Sequence, residues 1–109
     1  WATGLTPNVV SFLEDGSTSE QCKVKNGCGA HIHEGLGCAS KDKQGSHYYD
    51  RDTLGADPWA LESYYTTNNA GSAAMIGCVI TGESASDYKS KAFLVHSADG
   101  DRKLCGLLE

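Results

Sequence analysis

The chain has 109 residues, enough for one domain (1–109) with one modest core and too few for two. Nine Lys and Arg stand against 14 Asp and Glu, a net charge of −5, which argues against nucleic acid as a partner because phosphate binding needs a basic surface. No apolar run approaches the roughly 20 residues of a membrane span, and no leader pattern precedes the loop-like Trp1-Ala2-Thr3-Gly4, so localisation has to be read from chemistry.

Gly, Asn, Asp and Ser recur between short apolar or alternating runs, with no sustained 3.6-residue period, and the pattern predicts an all-β chain. The first predicted strand is 8–13. A polar loop over 14–27 carries Cys22, and a strand over 29–33 follows. The least sheet-like stretch is 48–63, where Pro58 interrupts regular structure; Trp59-Ala60-Leu61 reads as a short helical turn capped by Asp57. Strands over 64–67 and 73–81 flank a hairpin turn at Asn68-Asn69-Ala70-Gly71. In the second of these, Met75, Gly77 and Val79 share one face and Ile76, Cys78 and Ile80 the other, which predicts Cys78 as a buried free thiol of the core. After a polar turn at 84–90 come a strand at 92–96, a turn at Asp99-Gly100-Asp101, and a strand at 103–108.

Five cysteines, Cys22, Cys28, Cys38, Cys78 and Cys105, favour an oxidising, extracellular or secreted setting, and their odd number leaves one without an intramolecular partner. A reduced protein with buried cysteines is the plainer alternative. The absence of a C-x-x-C pair disfavours a structural zinc site.

His31-Ile32-His33 places two imidazoles on one face of a strand, within reach of a single metal ion, while Ile32 points the other way. Alone, the pair reads equally well as two surface histidines. His47, in Gly45-Ser46-His47-Tyr48, has the reading of a solvated turn residue, and His96, ending Ala92-Phe93-Leu94-Val95-His96, that of a core histidine bonded to a carbonyl.

Together these segments acquire a specific likeness. Gly29-Ala30-His31-Ile32-His33-Glu34 resembles the G-F-H-V-H-E signature of the copper/zinc superoxide dismutases, and Gly45-Ser46-His47-Tyr48 resembles their G-P-H-F segment, whose histidine bridges copper and zinc. Phe93-Leu94-Val95-His96 is similar to the strand that supplies the last copper ligand. Gly100-Asp101-Arg102-Lys103-Leu104-Cys105-Gly106 is similar to the family's G-S-R-L-A-C-G. The segments occur in the family's order over residues 27–109. The resemblance implies a Greek-key β-sandwich or barrel, copper ligands at His31, His33, His47 and His96, an active-site arginine at Arg102, and a Cys38–Cys105 disulfide. Cys22–Cys28 is the second bond expected beside it.

The chain also departs from that family. The two further histidines and the aspartate that bind zinc after the bridging histidine are missing, since only His96 follows His47. The resemblance is therefore to the copper-only branch and to superoxide-dismutase-repeat domains, with one copper per chain and no zinc. The long charged loop that narrows the metal's entrance is reduced to Ser97-Ala98-Asp99-Gly100-Asp101, which implies a more open site. The family's early strands are missing or shortened, which would expose a sheet edge that a neighbouring repeat domain of a longer protein could cover.

The activity implied is dismutation of superoxide to dioxygen and hydrogen peroxide, an antioxidant oxidoreductase chemistry, with Arg102 attracting the anion and His47 delivering a proton. Arg102 also has a plainer reading, a surface salt bridge with Asp99 or Asp101. Without zinc, the second ring nitrogen of His47 needs a partner, for which Asp50, Asp52, Asp57 and Glu62 are candidates; Asp50 reads more simply as a turn-stabilising residue. The rival functions are a module that stores, carries or senses copper with little turnover, and a structural adhesion module with a vestigial site.

Overall fold

A computed structural model of the chain describes residues 1–62 and 64–109, with Leu61 and Glu62 described by backbone alone. It is built around one antiparallel sheet of three strands in the order β1-β2-β3: β1 is Ala30–His33, β2 Ala92–His96 and β3 Arg102–Leu107. Among the described residues helix is confined to single turns, α1 (Lys41–Gln44), α2 (Arg51–Leu54) and α3 (Trp59–Glu62), and a 3-10 turn at Glu20–Cys22. Most of the remaining chain is extended or irregular, compatible with an all-β class.

Strand register explains the distribution of chemistry over the sheet. His31 lies opposite Leu94 and His33 opposite Ala92, while Ala30 lies opposite Val95 and Ile32 opposite Phe93. Because alternate side chains point to opposite faces, one face carries His31, His33, Leu94 and His96. The other carries Ala30, Ile32, Phe93, Val95 and Leu104. On this second face Ala30 and Val95 join Leu5, Val9, Cys22, Cys28, Tyr65 and Ala73 in the hydrophobic core.

The β2–β3 ladder contains one irregularity. Leu104 pairs with Val95, yet His96 pairs with Arg102, so two residues of β3 stand against one of β2. Strict alternation from Leu104 would send Arg102 to the core face. The bulge at Lys103 resets the parity and brings Arg102 beside His96, a known use of such irregularities.

Two disulfides hold the loops. Cys38–Cys105 ties the segment after β1 to β3, and Cys22–Cys28 closes the loop that leads into β1. Asp57 does cap the turn at α3, its Oδ1 accepting from Trp59 N at 2.9 Å. Asp50 caps α2 through Asp52 N and Thr53 N, the turn-stabilising role.

Three predicted strands are corrected. Segments 8–13, 64–67 and 73–81 make only isolated bridges, Phe12 with Thr18, Gly29 with Tyr64 and Ala2 with Ala73. In the first, side chains take the place of a neighbouring strand: Val9 N donates to Thr67 Oγ1, Val10 N to Gln21 Oε1 and Ser11 N to Thr66 Oγ1. The turn at 68–71 forms, with Asn68 Oδ1 accepting from Ala70 N and Ser72 N, but it joins segments that do not pair as a hairpin. Beyond Ala73 the third segment has no ladder among the described residues, so its alternation buries neither face. Ile76 is fully exposed, and Cys78 is an exposed free thiol rather than a core residue.

Cys78 should therefore react with a thiol reagent in the native protein, one equivalent per chain without denaturant; labelling only after unfolding would contradict its position. Cys38 and Cys105 stand 67 residues apart and Cys22 and Cys28 only 6. Replacing the first pair by Ser should cost about 4 kcal/mol of unfolding free energy, and replacing the second about 2 kcal/mol. Chemical denaturation of the two double variants measures the difference.

Candidate metal centre

The four histidines of the chain converge. One ligand nitrogen from each of His31, His33, His47 and His96 lies within 4.8 Å of the others, and all four side chains are buried. His31 and His33 arrive from β1 by strand alternation, and His96 from the end of β2. His47 comes from outside the sheet. Glu34 N donates to Ser46 O and Tyr48 N to Ile32 O, each at 2.9 Å, so the backbone around His47 lies antiparallel to β1 and sets His47 opposite His33. Residues directly opposite one another share a face, which is why His47 joins the pair.

Three of the four rings are aimed through their other nitrogen. His33 Nδ1 donates to Gly45 O at 2.9 Å, His96 Nδ1 to Gly100 O at 2.9 Å, and His47 Nδ1 to Asp57 Oδ2 at 2.6 Å. These bonds fix the tautomers and leave the Nε2 lone pair of each ring free. His31 presents Nδ1 instead, and its ring packs over Gly29, where a Cβ would collide with Nε2 and Cε1. The Nδ1 of His31 and the Nε2 of His33 and His96 are buried without any hydrogen-bond partner. Three orphaned acceptors pointing at one another cost free energy unless something fills the space between them, and a metal cation is the group that satisfies all of them.

Electrostatics points the same way. Burial lowers His31 to about 2, assisted by the neighbouring His47, His96 and His33. Burial lowers His33 to about 4 against the opposing bond to Gly45, with His47, Arg102 and His96 contributing. His96 is also lowered, chiefly by burial and in spite of its bond to Gly100. These three rings are neutral at physiological pH, the state in which imidazole ligates.

Arg102 lines the same cleft as His33 and His47, a space of about 220 Å³. It donates to Lys41 O at 3.0 Å, Gln44 Oε1 at 2.8 Å and Gly45 O at 3.0 Å, so all its protein partners are uncharged. No bridge forms to Asp99 or Asp101. Asp99 instead accepts from Ser97 Oγ and from Asp101 N. Among the carboxylates proposed for His47, the structure selects Asp57; Asp50 and Asp52 lie elsewhere on α2 and its cap, and the side chain of Glu62 lies outside the described residues.

The sequence reading missed three residues near the centre. Trp59, buried, stands 6.0 Å from the His31 ring between centroids and donates Nε1 to Tyr48 O at 2.8 Å. Arg51 and Lys25 both line the cleft. Nothing in their spacing signals this, because all three lie outside the sheet whose alternation groups the histidines. No family model matches the chain, and no curated protein or solved structure matches it significantly either.

The lowered histidines have a consequence for the metal-free protein. Unfolded, each takes up a proton below about 6.5; folded, His33 resists until about 4 and His31 until about 2. The unfolded chain thus binds more protons across this window, and stability falls as pH drops below about 6.5. Urea midpoints of metal-free protein should decrease steadily from pH 7 to pH 5. A flat profile would mean that the rings are protonated in the folded state.

Proposed function

We propose that this chain is a copper-only superoxide dismutase-like domain on a Greek-key β-sandwich of that family. The observation that carries the reading is the all-nitrogen cluster of four buried histidines, three of them with the tautomer fixed by a hydrogen bond, beside an arginine that no carboxylate among the described residues pairs with. Imidazole donors suit copper, zinc, iron and nickel alike. The choice of copper rests on the likeness of the four segments to the dismutase motifs, which assign all four histidines to that ion. Copper in the cage supplies alternating one-electron oxidation and reduction, by which one superoxide leaves as dioxygen and a second, with two protons, as hydrogen peroxide.

The chain's own residues account for the remaining work. Arg102 offers a permanently charged planar group at the cleft that also exposes His33 and His47. Its three oxygen acceptors hold the guanidinium in one orientation, so an anion meets a preorganised donor. His47 is the ligand whose second nitrogen faces a carboxylate and not a carbonyl. Asp57 keeps Nδ1 protonated and the ring oriented, leaving Nε2 either to ligate or to take a proton at the cleft. This does the orienting that a second metal does in the two-metal enzymes, and it requires no zinc ligands. Two disulfides fit an extracellular location.

Loading with both metals followed by elemental analysis should give one copper and no tightly held zinc per chain. Copper-loaded protein should dismutate superoxide in a steady-state assay. Copper uptake without turnover would leave the carrier reading, and two tightly bound metals would remove the copper-only assignment. His47→Ala should retain copper at reduced affinity, whereas His31→Ala, His33→Ala or His96→Ala should weaken binding more. Arg102→Ala should slow turnover with little change in copper affinity, and Arg102→Lys should rescue it only in part, because an ammonium cannot span three fixed acceptors. Full rescue by lysine would reduce Arg102 to a point charge.

A further inference from the structure

The face of the sheet turned away from the histidines is only partly covered. Ile32 of β1 lies opposite Phe93 of β2 on that face, and both side chains are half-buried. With Tyr48, Trp59, Glu83 and Tyr88 they line a cavity of about 480 Å³. The volume falls in the range of small-molecule sites, and aromatic walls with few polar groups are their usual lining.

Tyr48 supplies the polar group. The residue is 7% exposed, and its hydroxyl oxygen is buried without a hydrogen-bond partner. Among the described residues the other orphaned side-chain atoms are nitrogens of His31, His33 and His96, which a metal ion would satisfy. The Tyr48 hydroxyl has no such account. Its backbone is antiparallel to β1, and because it follows His47 its side chain leaves from the opposite face.

The ring is held where it is. Tyr48 N donates to Ile32 O at 2.9 Å, and Tyr48 O accepts from the buried Trp59 Nε1 at 2.8 Å. The Lys91 ammonium stands 4.9 Å from the ring centre and donates to Glu34 O at 3.1 Å, which fixes it over the ring. A buried donor without an acceptor is unfavourable, and folded proteins leave few of them. An acceptor brought in by a ligand removes that cost.

The charges nearby narrow the class of ligand. Burial raises the Tyr48 hydroxyl above the usual phenol range, and the carboxylates of Glu83 and Asp87 add to the effect, so both act on the hydroxyl end of the ring. In a chain of net charge −5, an anionic ligand would be repelled there. A cation would offer the hydroxyl no acceptor. A neutral carbonyl oxygen meets both conditions, and aromatic rings suit the walls, since offset and edge-to-face contacts add to plain burial.

We infer that the cavity on the sheet face opposite the histidines is a binding site for a small neutral aromatic carbonyl compound, whose oxygen accepts from the Tyr48 hydroxyl while its rings pack against Trp59, Tyr88 and Phe93. The inference does not rest on the metal reading, because no histidine of the cage lines this cavity.

The test uses benzophenone, its carbonyl-free analogue diphenylmethane, and the anionic benzoylbenzoate, each followed by equilibrium dialysis against the full chain. Benzophenone should bind saturably at one site per chain, and benzoylbenzoate more weakly. Tyr48→Phe should raise the benzophenone Kd roughly fivefold, the size of one net hydrogen bond, and leave diphenylmethane affinity unchanged. Ala85→Trp, at an exposed position lining the cavity, should abolish binding of both neutral probes. Irradiation of bound benzophenone should cross-link it to the peptide that carries Met75, another lining residue. The urea midpoint of ligand-free Tyr48→Phe should equal or exceed that of the parent, because the substitution removes an unpartnered hydroxyl. Equal benzophenone affinity in the parent and Tyr48→Phe would overturn the inference, as would cross-links confined to other surfaces. A lower urea midpoint for Tyr48→Phe would do the same, by showing that the hydroxyl is already satisfied within the folded chain.

Discussion

The Gly45 carbonyl oxygen accepts from His33 Nδ1 and from Arg102 Nη2, and the arrangement of the whole site depends on that shared acceptor. One lone pair fixes the tautomer of a cage histidine; the other anchors the guanidinium beside it. Gly45 ends α1, its N–H donating to Lys41 O, and Lys41 O accepts from Arg102 in turn. A four-residue helical turn therefore joins the β1 edge, the His47 segment and β3 in one hydrogen-bonded unit. The Cys38–Cys105 disulfide spans the same unit covalently.

The cage itself is a strained arrangement in polar terms. Burying three imidazoles with an unpartnered nitrogen apiece is unfavourable, and burial suppresses the protonation that would relieve it in water. Folding the chain without metal assembles this cost from β1, β2 and the His47 segment. Binding a cation recovers it, so affinity and folding are coupled. The carbonyls of Gly45 and Gly100 and the carboxylate of Asp57 decide which nitrogen of their rings is available, and they differ in consequence. A carbonyl only accepts, while a carboxylate also carries charge, which sets His47 apart from His33 and His96.

The opposite face of the sheet is organised by different physics. Ala30, Val95, Tyr65 and Leu5 pack without polar demands, and Tyr65 meets the site only through its hydroxyl, which donates to His96 O at 2.6 Å. Separation of the faces follows from the two-residue period of β1 and β2. The exception is Arg102, whose strand must break that period to reach the histidines, and the bulge at Lys103 is where it does so.

Much of the site was legible in the order of residues because it depends on local periodicity. H-x-H on a strand puts two rings on one face, an apolar run ending in His96 marks a second buried strand, and Asp57 ahead of Trp59 reads as a cap. Such patterns depend on neighbours a few positions away. The selection of Asp57 over Asp50 for His47 was not legible, because both lie within ten residues of it and only the path of the loop brings one of them to 2.6 Å. The same holds for Cys78. Its alternating neighbours predict a buried face, yet burial needs a second layer, and the described residues supply none over Ile76 and Ile80. Lys25 reached the cleft through a disulfide and close glycine contacts spanning some 70 residues of sequence. Residue order alone marks four candidate metal-binding histidines and the two strands that carry three of them. The hydrogen-bond partners of these rings and the charges around them come only from the packed chain, since proximity between distant loops is set by packing and not by period.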